Sequence, residues 1–74
     1  MLPEHRMPDT DRIFLDALER FERPLIRFAQ TYTREIEDAR DVVQDVFLKL
    51  SQNLHLIDME RIAPWLFTTC RNRA

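Results

Sequence analysis

Large apolar residues recur every three or four positions along the first part of the chain. They are Phe14, Leu18, Phe21, Leu25, Phe28 and Tyr32, at spacings of 4, 3, 4, 3 and 4. Because an α-helix turns once every 3.6 residues, this spacing places all of them on one face. Pro24 removes one backbone amide but does not change the phase of the stripe. The spacing therefore predicts one helix that is kinked at Pro24 but continuous.

A second apolar stripe follows a polar connector at about residues 33–37. Its members are Ala39, Val43, Val46, Leu50 and Leu54, and Val42 and Phe47 widen the face. This pattern predicts a helix over about residues 36–53. The opposite side of this helix carries Asp38, Asp41, Asp45 and Lys49. We therefore expect one buried and one charged face.

The rest of the chain predicts a loop and a third helix. The segment LHLIDMER, residues 54–61, has neither a helical nor a strand period, which indicates a loop. Pro64 suits the first turn of a helix, where its missing amide costs nothing, so we expect a helix that begins at about Trp65. This helix is still running at Ala74, which suggests that it is truncated at its C-terminus.

These elements predict an all-α fold, a small bundle of about three helices. The sequence contains no glycine, which removes the usual source of turns with positive φ and favours helices joined by short connectors. We expect residues 1–9 to form a flexible N-terminal arm and residues 10–74 to form a single helical domain. A chain of 74 residues is too short for more.

The chain lacks the groups that catalysis needs. His5 and His55 have no cysteine or carboxylate at metal-ligand spacing, and Cys70 has the position of a small buried hydrophobe. A lone cysteine forms no internal disulfide, and the apolar runs are too short to cross a membrane. We therefore expect no enzyme activity, no cofactor, no metal and no membrane insertion, and a cytoplasmic location.

Acidic and basic residues are segregated along the chain. Residues 35–45 contain five acids and one arginine, whereas residues 61–74 contain three arginines and no acid. Two segments of opposite charge indicate two different partners. Solvated helix faces are the alternative interpretation.

Three sequence blocks resemble one protein family. Residues 38–50 read DARDVVQDVFLKL, residues 18–29 read LERFERPLIRFA, and residues 64–74 read PWLFTTCRNRA. Taken in their order along the chain, they resemble region 2 of extracytoplasmic-function (ECF) sigma factors, a group within the sigma-70 family. The resemblance implies a transcription initiation factor domain that binds RNA polymerase core and promoter DNA. It also implies that the rest of region 2 and region 4, the second DNA-binding domain, lie outside this sequence.

The resemblance assigns a polymerase contact to the second helix. In the family this helix docks on the clamp helices of the beta-prime subunit. The matching positions here are Asp41, Gln44, Asp45 and Phe47. Carboxylates accept forked hydrogen bonds from arginines of the coiled coil, and an aromatic residue suits an apolar anchor. For Phe47, a place in the core is the alternative.

The third block and the loop before it correspond to the elements that recognise and melt the minus-ten element. These elements capture the non-template strand, with the loop at about residues 56–63 as a pocket wall. The resemblance assigns DNA contacts to Arg61, Trp65, Arg71, Asn72 and Arg73. Asn72 is expected to read a base edge and the arginines to hold phosphates. Trp65 is either a stacking platform or a core anchor.

The alternative function is a helical protein-interaction module without direct DNA binding. Such a module would form a homodimer or be held by an anti-sigma factor. The sequence does not identify the promoter, the inducing signal or the anti-sigma partner.

Overall fold

The computed structural model describes residues 9–73, and the regular structure within this range is helical. Three α-helices follow one another: α1 is Asp9–Gln30, α2 is Ile36–Asn53 and α3 is Ile62–Arg73. Two short 3₁₀ turns, Leu54–Leu56 and Met59–Arg61, lie between α2 and α3. The prediction of an all-α bundle of three helices is confirmed.

Helix α1 runs through Pro24 without a break, as the unbroken stripe predicted. It ends at Gln30, so Tyr32 lies beyond it and packs its ring against Phe28 at 5.3 Å between centroids. The helix stops here because threonine side chains bind its last carbonyl oxygens. The hydroxyl of Thr31 donates to the Phe28 carbonyl oxygen at 2.6 Å. Such local bonds satisfy carbonyl groups that a helix end leaves without partners.

The expected N-terminal arm falls almost entirely outside the described residues. Only its last residue, Asp9, lies within them, and it is the first residue of α1.

Helix α2 contributes the largest share of the core. Its buried side chains are Ala39, Val42, Val43, Val46, Phe47 and Leu50. These residues recur at helical spacing on the face that packs between α1 and α3, as the stripe predicted. The bounds predicted for this helix are confirmed. In residues 11–73 no polar or charged side chain is buried, so the core is held by apolar contacts alone.

Helix α3 closes the bundle with a narrow apolar stripe. Ile62, Leu66 and Cys70 are buried at intervals of four residues. Beside this stripe, Phe67 packs edge-to-face against Phe28 of α1, with 5.2 Å between ring centroids. The prediction that Cys70 is a small buried hydrophobe is confirmed, since its side chain is fully enclosed.

The segment between α2 and α3 differs from the irregular loop that we predicted. It forms two 3₁₀ turns, in which Ile57 N–H donates to the Leu54 carbonyl oxygen at 3.2 Å and Arg61 N–H to the Asp58 carbonyl oxygen at 2.8 Å. Leu54 is buried and Ile57 half-buried, so apolar anchoring holds the segment against the bundle. Short 3₁₀ pieces commonly serve as connectors and show little of the α-helical period that we searched for.

The start of α3 also differs from the prediction. The helix begins at Ile62, three residues before Trp65, because burial of Ile62 extends the stripe of Leu66 and Cys70 backwards. Pro64 lies in the first turn, as predicted, where amides have no partner within the helix.

No helix within residues 9–73 combines the length and the apolar character that a membrane span requires.

Candidate partner-binding surfaces

The exposed side of α2 carries a row of side chains that we call the acidic face. Its members are Asp41, Gln44, Asp45 and Leu48. Gln44, Asp45 and Leu48 follow Asp41 by three, four and seven residues, so all four lie on one side of the helix. Together with Arg73 of α3 they line a shallow depression of about 440 Å³. The opposite side of α2 is packed in the core, so the helix holds this face in a fixed orientation.

Leu48 is the member of this face that the sequence analysis missed. Its side chain is 56% exposed, which is high for a leucine in the middle of a helix that packs into a core. Its position three residues after Asp45 was the signal that would have placed it on the acidic face. The face therefore combines carboxylates, an amide and one large apolar side chain.

Phe47 occupies the core, which was the alternative to its predicted contact with polymerase. It is 5% exposed, and its ring packs edge-to-face against Phe14 with 6.1 Å between centroids. It also borders a groove of about 190 Å³ between α1 and α2. A direct contact between Phe47 and a partner remains a prediction that this burial does not favour.

Asp45 is not a free carboxylate in this structure. The Nε of Arg73 donates a hydrogen bond to its Oδ2 at 2.8 Å, and the Nζ of Lys49 lies 3.8 Å from the same oxygen. Asp41 and Gln44 are both exposed, and within residues 11–73 Asp41 forms no ion pair. One predicted polymerase residue is thus paired within the chain, whereas Asp41 and Gln44 point to solvent.

A second row of side chains follows the outer side of α3. We call it the α3 outer face and define it as Arg61, Trp65, Thr68 and Asn72. Their spacings of 4, 3 and 4 place them on one side of the helix and the turn before it. All but Trp65 are exposed, and Trp65 is half-buried. Thr68 was not among the predicted site residues, although the same spacing would have identified it.

Trp65 borders open grooves on the α3 outer face. One groove, of about 350 Å³, is lined by Asn53, Leu56, Ile57, Asp58, Arg61 and Trp65. Trp65 also packs against the core, as its alternative role as a core anchor requires, and its role as a stacking platform stays a prediction. The groove combines an aromatic wall with a guanidinium group, and the carboxylate of Asp58 also lines it. The aromatic wall and the guanidinium group are the features that bind unstacked bases and the phosphates beside them.

The five residues predicted to contact DNA do not lie together. Arg61, Trp65 and Asn72 share the α3 outer face. Arg71 is exposed elsewhere on α3, and Arg73 turns towards α2 to pair with Asp45. Their separation by two residues already predicts different sides of a helix, but the sequence could not show that Arg73 meets Asp45 of another helix.

The described chain offers no obvious reactive centre. Burial raises the pKa of the Cys70 thiol above its ordinary value, because the charged thiolate is poorly solvated there. A buried neutral thiol is a poor nucleophile. In residues 9–73 there is also no cluster of three His, Cys, Asp or Glu side chains that could hold a metal ion.

Comparison with known proteins supports the family resemblance. The family model described as Sigma-70 region 2 matches residues 17–74, which include both faces and most of α1. No curated protein and no solved structure matches the chain significantly. The chain therefore belongs to the sigma-70 region 2 family, whose domains act in RNA polymerase binding and promoter recognition during transcription initiation.

Proposed function

We propose that this domain belongs to the ECF group and joins polymerase to promoter DNA through two separate faces. The acidic face of α2 binds the clamp helices of the beta-prime subunit, and the α3 outer face captures the non-template strand of the minus-ten element. The observation that carries the proposal is that α2 presents Asp41, Gln44 and Leu48 to solvent while its other side is fixed in the core.

The chemistry of the acidic face matches a coiled coil rich in arginine. A carboxylate accepts two parallel hydrogen bonds from one guanidinium group, and the Gln44 amide both donates and accepts. Leu48 supplies apolar area to the contact, where its desolvation contributes to affinity. The helix backbone beneath these four side chains is already ordered, so only the side chains lose freedom when the partner binds.

The α3 outer face matches a single strand of DNA. Trp65 offers a stacking surface beside the guanidinium of Arg61, and Asn72 offers an amide that can pair with a base edge. Binding an unpaired strand more tightly than the duplex favours melting by differential affinity, and no bond needs to be made or broken. Binding energy alone is then enough to promote opening of a promoter.

The test of the polymerase contact is reversal of charge on the acidic face. The double variant Asp41→Lys with Asp45→Lys should lower affinity for a clamp-helix fragment at least about tenfold, because cations would face cations. Fluorescence anisotropy with a labelled fragment measures this change, and circular dichroism checks that the variant is folded.

The matched control places the same charge change on α1, as Asp11→Lys with Glu19→Lys. Both of these acids are exposed and lie outside the acidic face. The control should stay within about threefold of the wild type, since both acids lie on another helix and salt screens exposed charges that do not touch the partner. Equal losses in the two double variants would refute a docking role for the acidic face.

A further inference from the structure

Arg73 links α3 to α2, the two helices that bind different partners in the proposed function. It lies in the last turn of α3, yet its Nε donates to Oδ2 of Asp45 on α2, and it lines the same depression as Asp41, Gln44 and Leu48. The acidic face therefore already holds one guanidinium group, supplied by the chain itself.

This internal contact obstructs the geometry that an external arginine would use. A forked pair requires both oxygens of a carboxylate, and Arg73 occupies one of them. The Nζ of Lys49, at 3.8 Å, adds a second positive charge near the same oxygen. An arginine from a partner must displace Arg73 before it can bind Asp45 with both nitrogens.

We propose that Arg73 is an internal competitor for the polymerase-binding surface, and this inference rests on the proposed function. In the free domain Arg73 covers Asp45, and docking on the clamp helices exchanges it for an arginine of the partner. Asp41, which has no such internal partner among the described residues, is open from the start. The two carboxylates of one face thus differ in how readily a partner can use them.

The contact is weak enough to be exchanged. The side chains of Arg73 and Asp45 are 51% and 31% exposed, so water screens the pair. Exposed pairs of this kind change an equilibrium by about 1.4- to 5-fold, which corresponds to about 0.2–1 kcal/mol. Arg73 therefore lowers affinity for the partner modestly and does not block binding.

The test compares two arginines on α3 that carry the same charge. Arg73→Gln should bind the clamp-helix fragment about 1.4- to 5-fold more tightly than Arg71→Gln. Arg71 is exposed and forms no ion pair among the side chains described for residues 11–73, so its replacement controls for the loss of one positive charge. In an Asp45→Asn background the difference between the two variants should vanish, because there is no carboxylate left to compete for.

The outcomes separate this inference from the proposed function. If the wild type binds the fragment but Arg73→Gln and Arg71→Gln bind equally, or Arg73→Gln binds more weakly, internal competition is wrong and docking stands. If the wild type does not bind the fragment at all, the proposed function fails and the inference fails with it. Isothermal titration at low salt provides the affinities, since screening by salt would hide a small effect.

Discussion

The acidic face of α2 and the α3 outer face are built in different ways. The acidic face lies on a single helix whose other side contributes Ala39, Val46 and Leu50 to the core, each fully buried. The α3 outer face begins in a 3₁₀ turn, continues along a shorter helix and depends on the segment between α2 and α3 for one wall of its groove. The first is a rigid surface from one element, and the second is assembled from several.

This difference suits the two partners that we propose. A coiled coil is itself rigid, so a preformed helical face binds it without ordering of its backbone, and only its side chains lose conformational entropy. An unpaired DNA strand has no fixed shape until it is bound, and a groove with an aromatic wall accommodates bases as they leave the stack. The comparison makes definite predictions about which substitutions affect the fold and which affect only one partner.

The largest effect is expected in the core behind the acidic face. Leu50→Ala should lower the free energy of unfolding by about 2–5 kcal/mol, because it leaves a cavity where a side chain is fully enclosed. Leu48 lies on the same helix but is 56% exposed, so Leu48→Ala should change the free energy of unfolding by less than about 0.5 kcal/mol. Urea unfolding followed by circular dichroism compares the two. Similar losses would show that the acidic face is not a free surface.

A smaller effect is expected on the α3 outer face. Asn72→Ala should weaken binding to single-stranded minus-ten DNA by about 1–3 kcal/mol if its amide reads a base edge. Arg61→Gln, on the same face, should instead weaken binding to every strand to a similar extent, because phosphate contacts do not depend on sequence. Anisotropy titrations with cognate and scrambled oligonucleotides separate these outcomes. A loss for Asn72→Ala that is equal on both strands would remove its role in specificity.

Leu48 provides a further test of the acidic face. Leu48→Ala should weaken binding to the clamp-helix fragment by about 1 kcal/mol, because part of its apolar surface is buried on docking. Leu15→Ala is the matched control, since Leu15 is 48% exposed but lies on α1. Titration of both variants with the same fragment gives the comparison. A larger loss for Leu15→Ala would place the contact on α1.

The smallest effect concerns Cys70. Burial raises the pKa of its thiol in the folded state, so on raising the pH the unfolded chain loses this proton first. The neutral thiol therefore makes its full contribution to the free energy of unfolding when the pH is below its ordinary pKa of 9.0. This contribution declines as the pH rises above that value. Urea unfolding should show that the free energy of unfolding falls more between pH 8 and pH 10 for the wild type than for Cys70→Val. An equal fall in both proteins would mean that the thiol is already solvated.

Much of the fold could be predicted from spacing. The bounds of α2 followed from one clean apolar stripe, and the continuity of α1 through Pro24 followed from a stripe that kept its phase. Residues 54–61 could not be predicted in the same way, because 3₁₀ turns of three residues are too short to show a period. The early start of α3 depended on burial of Ile62, which is a property of the packed bundle.

The sequence by itself determined that three helices form and which side of α2 is charged, because helical spacing and charge are local properties of the chain. The family followed from three short blocks in order. Only the tertiary structure decided that Phe47 packs in the core, that Leu48 stands on the acidic face, and that Arg73 pairs with Asp45. Those outcomes depend on how helices distant in sequence approach one another, and the position of a residue along its own helix does not specify its neighbours on the next.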